Sequence, residues 1–258
     1  MPAPDLDLLT DAAKTAGKIA MRYFRNDPKV TQKADKSPVS EADLAVNTWL
    51  ESHLQAARPE YGWLSEETPD TPQRLSARRV FVVDPIDGTR AFVDGQSAWG
   101  VALAVVEAGL AVAGVMHMPA QGKTYTAARG VGSRLNGAPL AAGRRATLAG
   151  ASVLANKAVL GAANWARPLP EVGRHYRPSL IYRMCLVAEG RFDATITLRD
   201  SADWDIAPGA VICDEAGATV STRAGSPPRF NQEVARQPGL IVANPVLHAA
   251  VLDHLNPH

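Results

Sequence analysis

The ten residues from Val80 to Thr89 constrain this chain more than any other stretch. Val80-Phe81-Val82-Val83 has the composition of a buried strand, and it runs straight into Asp84-Pro85-Ile86-Asp87-Gly88-Thr89. Pro85 removes a backbone donor and fixes its φ, and Gly88 allows conformations closed to other residues. The sequence therefore predicts a shaped loop after Val83 rather than a continued strand. Loops at strand ends are where α/β proteins carry their chemistry. Two carboxylates about 4 Å apart repel by roughly 4 kcal/mol at an effective dielectric of about 20, so a proton, an arginine or a metal ion must come between them. Oxygen donors suit magnesium, calcium or manganese. The same residues admit a plainer reading, with Asp84 capping a turn and Asp87 capping the helical stretch that follows.

The rest of the chain narrows the function classes. Its 27 Lys and Arg against 26 Asp and Glu give a net charge of +1, so no whole-molecule field draws in nucleic acid or an anionic membrane. Cys185 and Cys213 stand far apart and outside any C-x-x-C motif, which predicts core thiols and a cytoplasmic setting. The six histidines lack zinc-ligand spacing. No nucleophile elbow, Walker loop or dinucleotide fingerprint is present. The apolar stretch from Ala98 to Met118 is broken by Glu107 and three glycines, so two strands, 101–106 and 110–116, explain it better than a membrane span.

Periodicity predicts helices over 8–24 and 42–57, the second opening on a Ser40/Asp43 capping pair, with a loop or loose hairpin between them. Tyr61 to Leu64 reads as a strand that delivers Glu66 and Glu67, and 68–77 as a surface loop. Asn136-Gly137 signals a tight turn. The segment 140–150 lacks clean periodicity, and a boundary there divides the chain into an N-terminal α+β domain (1–145) and a smaller C-terminal α/β domain (146–258). In the second part, strands at 152–155, 192–198, 219–221 and 240–243 alternate with helices at 180–189, 206–216 and 246–255. Asp205 opens the middle helix with Pro208 just inside it, a complete description of a cap.

Acids thus fall at four structural punctuation marks: Asp43, Glu66 with Glu67, Asp84 with Asp87, and Asp205. With Lys33, Ser37 to Asp43, Ser65-Glu66-Glu67, Asp84 to Thr89 and Trp204-Asp205 in that order, the chain resembles the inositol monophosphatase family of magnesium-dependent, lithium-sensitive phosphatases over essentially its whole length. The resemblance implies a layered αβαβα sandwich, a homodimer, and two to three Mg2+ ions, with Mn2+ as a possible substitute. By the same resemblance Glu66, Asp84 and the Ile86 carbonyl hold one ion; Asp84, Asp87 and Asp205 hold a second; a weaker third lies near Glu66. Thr89 and Glu66 position the attacking water, Asp43 orients the Thr89 hydroxyl, and Asp87, Gly88, Thr89 and Lys33 face the phosphate.

The family's substrates include inositol monophosphates, 3'-phosphoadenosine-5'-phosphate, histidinol phosphate and fructose 1,6-bisphosphate. The stretch from Cys185 to Gly190 with Arg183 ahead of it, and Asp203 before Trp204, lean toward the nucleotidase branch, whereas Arg90 after the Asp84–Thr89 motif resembles the histidinol phosphatases. The glutamate that contacts inositol hydroxyls has no counterpart near Leu198. Arg183 either pairs with a second phosphate or stands exposed on its helix. A non-catalytic protein that binds metal or a partner is the alternative from another class, and the intact acids with Thr89 argue against it.

Overall fold

The computed structural model describes residues 3–33 and 37–256. In chain order the elements are α1 (Ala3–Met21), β1 (Val30–Gln32), β2 (Pro38–Ser40), α2 (Glu41–Ala57), β3 (Gly62–Ser65), β4 (Arg79–Asp87), α3 (Thr89–Val93), β5 (Gly100–Glu107), β6 (Leu110–Met118), β7 (Lys123–Ala128), β8 (Gly132–Leu135), β9 (Ala138–Pro139), β10 (Ser152–Leu154), β11 (Gly173–His175), α4 (Leu180–Ala188), β12 (Ala194–Thr197), β13 (Ser201–Ala202), α5 (Ala207–Glu215), β14 (Thr219–Ser221), β15 (Arg236–Gln237), β16 (Leu240–Ala243) and α6 (Pro245–His254). Short 3₁₀ turns cover Pro72–Ser76 and Asp203–Asp205.

Two sheets organise the chain, a seven-stranded one in the order β3-β4-β5-β6-β7-β8-β9 and a five-stranded one in the order β11-β10-β12-β16-β14. Both are mixed: β3 runs parallel to β4 and β10 parallel to its two neighbours, while the other pairings are antiparallel. The near-continuous apolar runs of β5 and β6 follow from burial on both faces, because a half-solvated strand would alternate. On one face lie α1 and α2, whose stripe of Leu9, Ala12, Ala13, Ala16, Val46, Leu50 and Leu54 meets Phe81, Val83, Val101 and Leu103. On the other face α4 and α5 fill the space between the sheets, in a cluster that takes Val82, Ala102 and Met116 from the first and Leu154 and Val242 from the second. The outer face of the second sheet is covered by α6 through Leu247 and Val251. These are the five layers, αβαβα, that the resemblance implied. Close packing in the middle layer needs Gly114 of β6, where a Cβ would come within 2.5 Å of Val211 Cγ1 and 2.8 Å of the Pro208 carbonyl oxygen.

Three expectations need correction. The β4 strand does not stop at Val83: its ladder with β5 holds to Asp84↔Ala102, slips, and resumes at Asp87↔Gly100, so the prolyl residue sits in a bulge instead of ending the strand. Residues 68–77 are not merely a surface loop, because the Arg74 side chain within them is only 2% exposed. The short strands β11, β13 and β15 carry no sequence signal, since two or three residues are too few to show a period of two.

Candidate metal centre

The bulge in β4 and the first residues after it build the centre. The Ile86 amide donates to Asp84 Oδ1 at 3.1 Å, which holds that carboxylate across the bulge. Gly88 follows at φ +94, a conformation that favours glycine, and a Cβ there would meet the Ala98 carbonyl oxygen at 3.0 Å. The tight passage opens α3 directly behind the two acids. Asp205 comes from a distant part of the chain, on the turn between β13 and α5, where the Ala202 amide donates to its Oδ2 at 3.3 Å.

One carboxylate oxygen from each of Asp84, Asp87 and Asp205 lies within 4.8 Å of the others. Asp84 and Asp87 are 2% and 4% exposed. Among the described residues none of the three makes an ion pair. Burial, then the Glu66, Asp87 and Asp205 charges, push the Asp84 carboxyl well above its usual range. Burial raises Asp87 to about 7 against the opposing hydrogen bond from Ser179, and burial with the nearby Glu66 raises Asp205 to about 6. Three inward-facing carboxylates that resist ionising together, with oxygen donors only, fit a divalent hard cation and suit nothing this chain itself supplies.

The other predicted residues line the same pocket or brace it. Glu66, Ile86, Gly88 and Thr89 border it, together with Asn156, Tyr176, Arg199, Trp204 and Arg236. Glu66 lies outside the tight trio, because the Lys33 ammonium bridges it (2.8 Å) and Glu67 (2.6 Å). That ammonium is thus committed to two acids, and burial still lifts Glu67 to about 7 despite it. Thr89 Oγ1 stands 3.3 Å from Asp43 Oδ1 and 3.1 Å from the Ile86 carbonyl oxygen. The Asp43 Oδ2 accepts from the Ser40 amide (2.8 Å) and hydroxyl (2.6 Å), so the capping pair and the contact with Thr89 share one carboxylate.

Arg183 meets neither description offered for it. It is 3% exposed, its Nε donates to the Arg177 carbonyl at 2.6 Å, and its guanidinium lies 4.9 Å from the Tyr176 ring centroid, behind the wall of the pocket. Asp203 is also fully buried, accepting from Gln237 Nε2 (2.8 Å) and the Asn231 amide (2.7 Å), which makes it a brace for the turn that carries Asp205. His117 and His248 pack inside the protein, and His258 lies outside the described residues. Two groups escaped the sequence reading. Ser179 caps α4 by accepting from the Tyr182 amide and donates its hydroxyl proton to Asp87 Oδ2; only its place before a helical stripe hinted at it. Arg199 and Arg236 have no local signal, because the fold brings them together from positions 37 residues apart.

Comparison with known proteins agrees with this geometry. The chain is 31% identical to a histidinol-phosphatase of Chlorobaculum parvum, covering 93% of this chain and 92% of the relative. It is 34% identical to an inositol-1-monophosphatase of Rhizobium meliloti (82% and 83%) and 29% identical to a 3'(2'),5'-bisphosphate nucleotidase of Aggregatibacter actinomycetemcomitans (90% and 90%). Its fold superposes on the Thermotoga maritima IMPase with a TM-score of 0.82 at 25% identity, over 98% of this chain and 96% of that one. Among the described residues, no helix is long and apolar enough to cross a membrane. With residues 2–258 matching the inositol monophosphatase family, the chain belongs to that family of metal-dependent phosphomonoesterases.

Proposed function

We propose that this protein hydrolyses a small-molecule phosphate monoester with two or three Mg2+ ions, for which Mn2+ can substitute. Asp84, Asp87 and Asp205 would hold one ion, and Glu66, Asp84 and the Ile86 carbonyl another. Bound there, the ions supply the positive charge a transferring phosphoryl group needs and ease deprotonation of the attacking water. The observation that carries this reading is the unneutralised Asp84–Asp87–Asp205 trio beside the Thr89–Asp43 pair.

The chain's own residues do the aiming. Thr89 has one hydroxyl proton and two acceptors within reach; giving it to Asp43 Oδ1 leaves an Oγ1 lone pair to take a hydrogen bond from water. Ser40 fixes the Asp43 carboxylate through its other oxygen, so Oδ1 keeps its direction. Glu66, tethered by Lys33, stands at the edge of the pocket where it can accept from the same water. The backbone amides of Gly88 and Thr89 offer donors to the phosphate oxygens.

Relatives of similar identity carry three different substrate names, so overall likeness does not choose between esters. Phosphate release from several monoesters, with and without Mg2+, tests the reading. We expect turnover that a chelator abolishes, and a fall of about a hundredfold or more for Thr89→Val. Cation binding without release of phosphate from any ester would leave a non-catalytic metal-binding protein and overturn the proposal.

A further inference from the structure

Three arginines, Arg90, Arg199 and Arg236, line a cavity of about 510 Å³ whose other lining includes the acid trio. Among the described residues the side chains of all three lack an ion pair or hydrogen bond. Some surface arginines elsewhere find carboxylates, Arg78 with Glu107, Arg145 with Asp193 and Arg167 with Asp253, and others such as Arg144 and Arg223 stay unpaired among the described residues; what sets these three apart is that they share a cavity with the acid trio.

The fold fixes where two of the three stand. Arg236 lies on β15 directly opposite Ala202 of β13, and the Ala202 amide is the one that donates to Asp205. Arg199 lies between β12 and the other end of β13. Both therefore stand beside the short strand that leads into the turn carrying Asp205. This wall belongs to the second half of the chain, whereas Thr89 and Asp87, which line the same cavity, come from the first. Asp200 is the one acid of this wall besides Asp205, and it forms no ion pair with either arginine.

We propose that Arg199 and Arg236 form a second anion subsite, so that the preferred substrate carries a further phosphate beyond the ester that is hydrolysed. This rests on the phosphatase reading above. A planar guanidinium presents a fork of donors that matches phosphate oxygens two at a time, which a solvated polyol would not use. An alcohol phosphate bearing an ammonium or imidazolium group would meet like charge there. Arg183 cannot take this role, since it is 3% exposed, does not line the cavity, and turns Nε and Nη2 onto the carbonyls of Arg177 and Pro178. Tyr176 and Trp204 line the same cavity and offer aromatic contact to a base, which favours a nucleoside bisphosphate over a sugar bisphosphate.

The test is kcat/KM for 3'-phosphoadenosine-5'-phosphate, fructose 1,6-bisphosphate, inositol 1-phosphate and histidinol phosphate at one saturating Mg2+ concentration. The proteins are the wild type, Arg199→Gln, Arg236→Gln, the double variant, and Arg199→Lys with Arg236→Lys. We expect the wild type to prefer a bisphosphate over inositol 1-phosphate by at least about tenfold. The ratio should fall about tenfold for each arginine removed, mainly through KM, and partly recover in the lysine variant. A preference for the nucleoside over the sugar bisphosphate assigns Tyr176 and Trp204 their part; equal use of both leaves the anion subsite standing alone. A wild-type preference for inositol 1-phosphate or histidinol phosphate, or a ratio unchanged in the double variant, overturns the subsite while the metal chemistry stands. Turnover of none of the four overturns the phosphatase reading and the subsite with it.

Discussion

Asp43 serves two neighbours at once. One oxygen closes the first turn of α2 through Ser40, and the other faces Thr89. Read from sequence, cap and catalytic helper are rival explanations; in the structure the rigid cap is what aims the second oxygen. Asp87 and Asp205 differ in kind, because the fold gains nothing from their ionised forms. Both are buried among like charges that push their carboxyls up to about 7 and about 6. Replacing either by asparagine removes repulsion, while the Ser179 hydroxyl and the Ala202 amide keep an oxygen to donate to. The expected outcome for Asp87→Asn and Asp205→Asn is loss of turnover with a melting temperature in chelator equal to or above that of the wild type. Mere caps would give the reverse, a loss of about 1 kcal/mol with catalysis intact.

At the scale of elements, Arg74 ties the two walls of the site together. Its Nε and Nη2 bind the Asp70 carboxylate at 2.6 and 2.8 Å, while Nη1 reaches Asn231 Oδ1 at 2.7 Å and the Gln232 carbonyl at 3.0 Å. Asn231 in turn donates its amide to Asp203, two residues before Asp205. The segment that follows Glu66 and Glu67 is thereby clamped to the segment that carries Arg236 and braces Asp205. Removing the buried guanidinium strands acceptors on both segments, so Arg74→Ala should cost about 2 to 4 kcal/mol, whereas Asp70→Ala, which keeps the contacts to Asn231 and Gln232, should cost less, about 1 to 2 kcal/mol. Thermal melting of both variants checks this, and equal losses would show that Arg74 holds only its local turn. The Mg2+-induced melting shift should also shrink in Arg74→Ala, since the clamp sets the distance between the acids.

For the whole molecule, the acid centre draws its carboxylates from β4 and from the turn before α5, far apart in the chain. A cation that binds there bridges both halves and stabilises only the folded chain. At a hundredfold excess over its dissociation constant it adds about 2.7 kcal/mol. For a chain of this length that corresponds to a rise in melting temperature of roughly 5 to 10 °C. Scanning calorimetry with Mg2+ and with chelator measures the shift, and coincident transitions would remove the metal from this centre.

The sequence by itself determined what depends on neighbours along the chain. The stripes of α1 and α2, the unbroken apolar runs of β5 and β6, the Ser40–Asp43 cap and the acid pair at the end of β4 are short-range patterns set by side-chain period and backbone chemistry. Tertiary structure decided what depends on distance in space. It carried β4 through its proline by pairing Asp87 with Gly100, turned Arg183 inward onto backbone carbonyls, and buried Arg74 and Asp203 in one network. It also brought Arg199 and Arg236 to line one cavity with residues more than 100 positions earlier, between Asp84 and Arg90. A charge that will pair within its own loop and one left to meet a substrate look the same in a sequence; only packing shows which carbonyls and carboxylates each can reach.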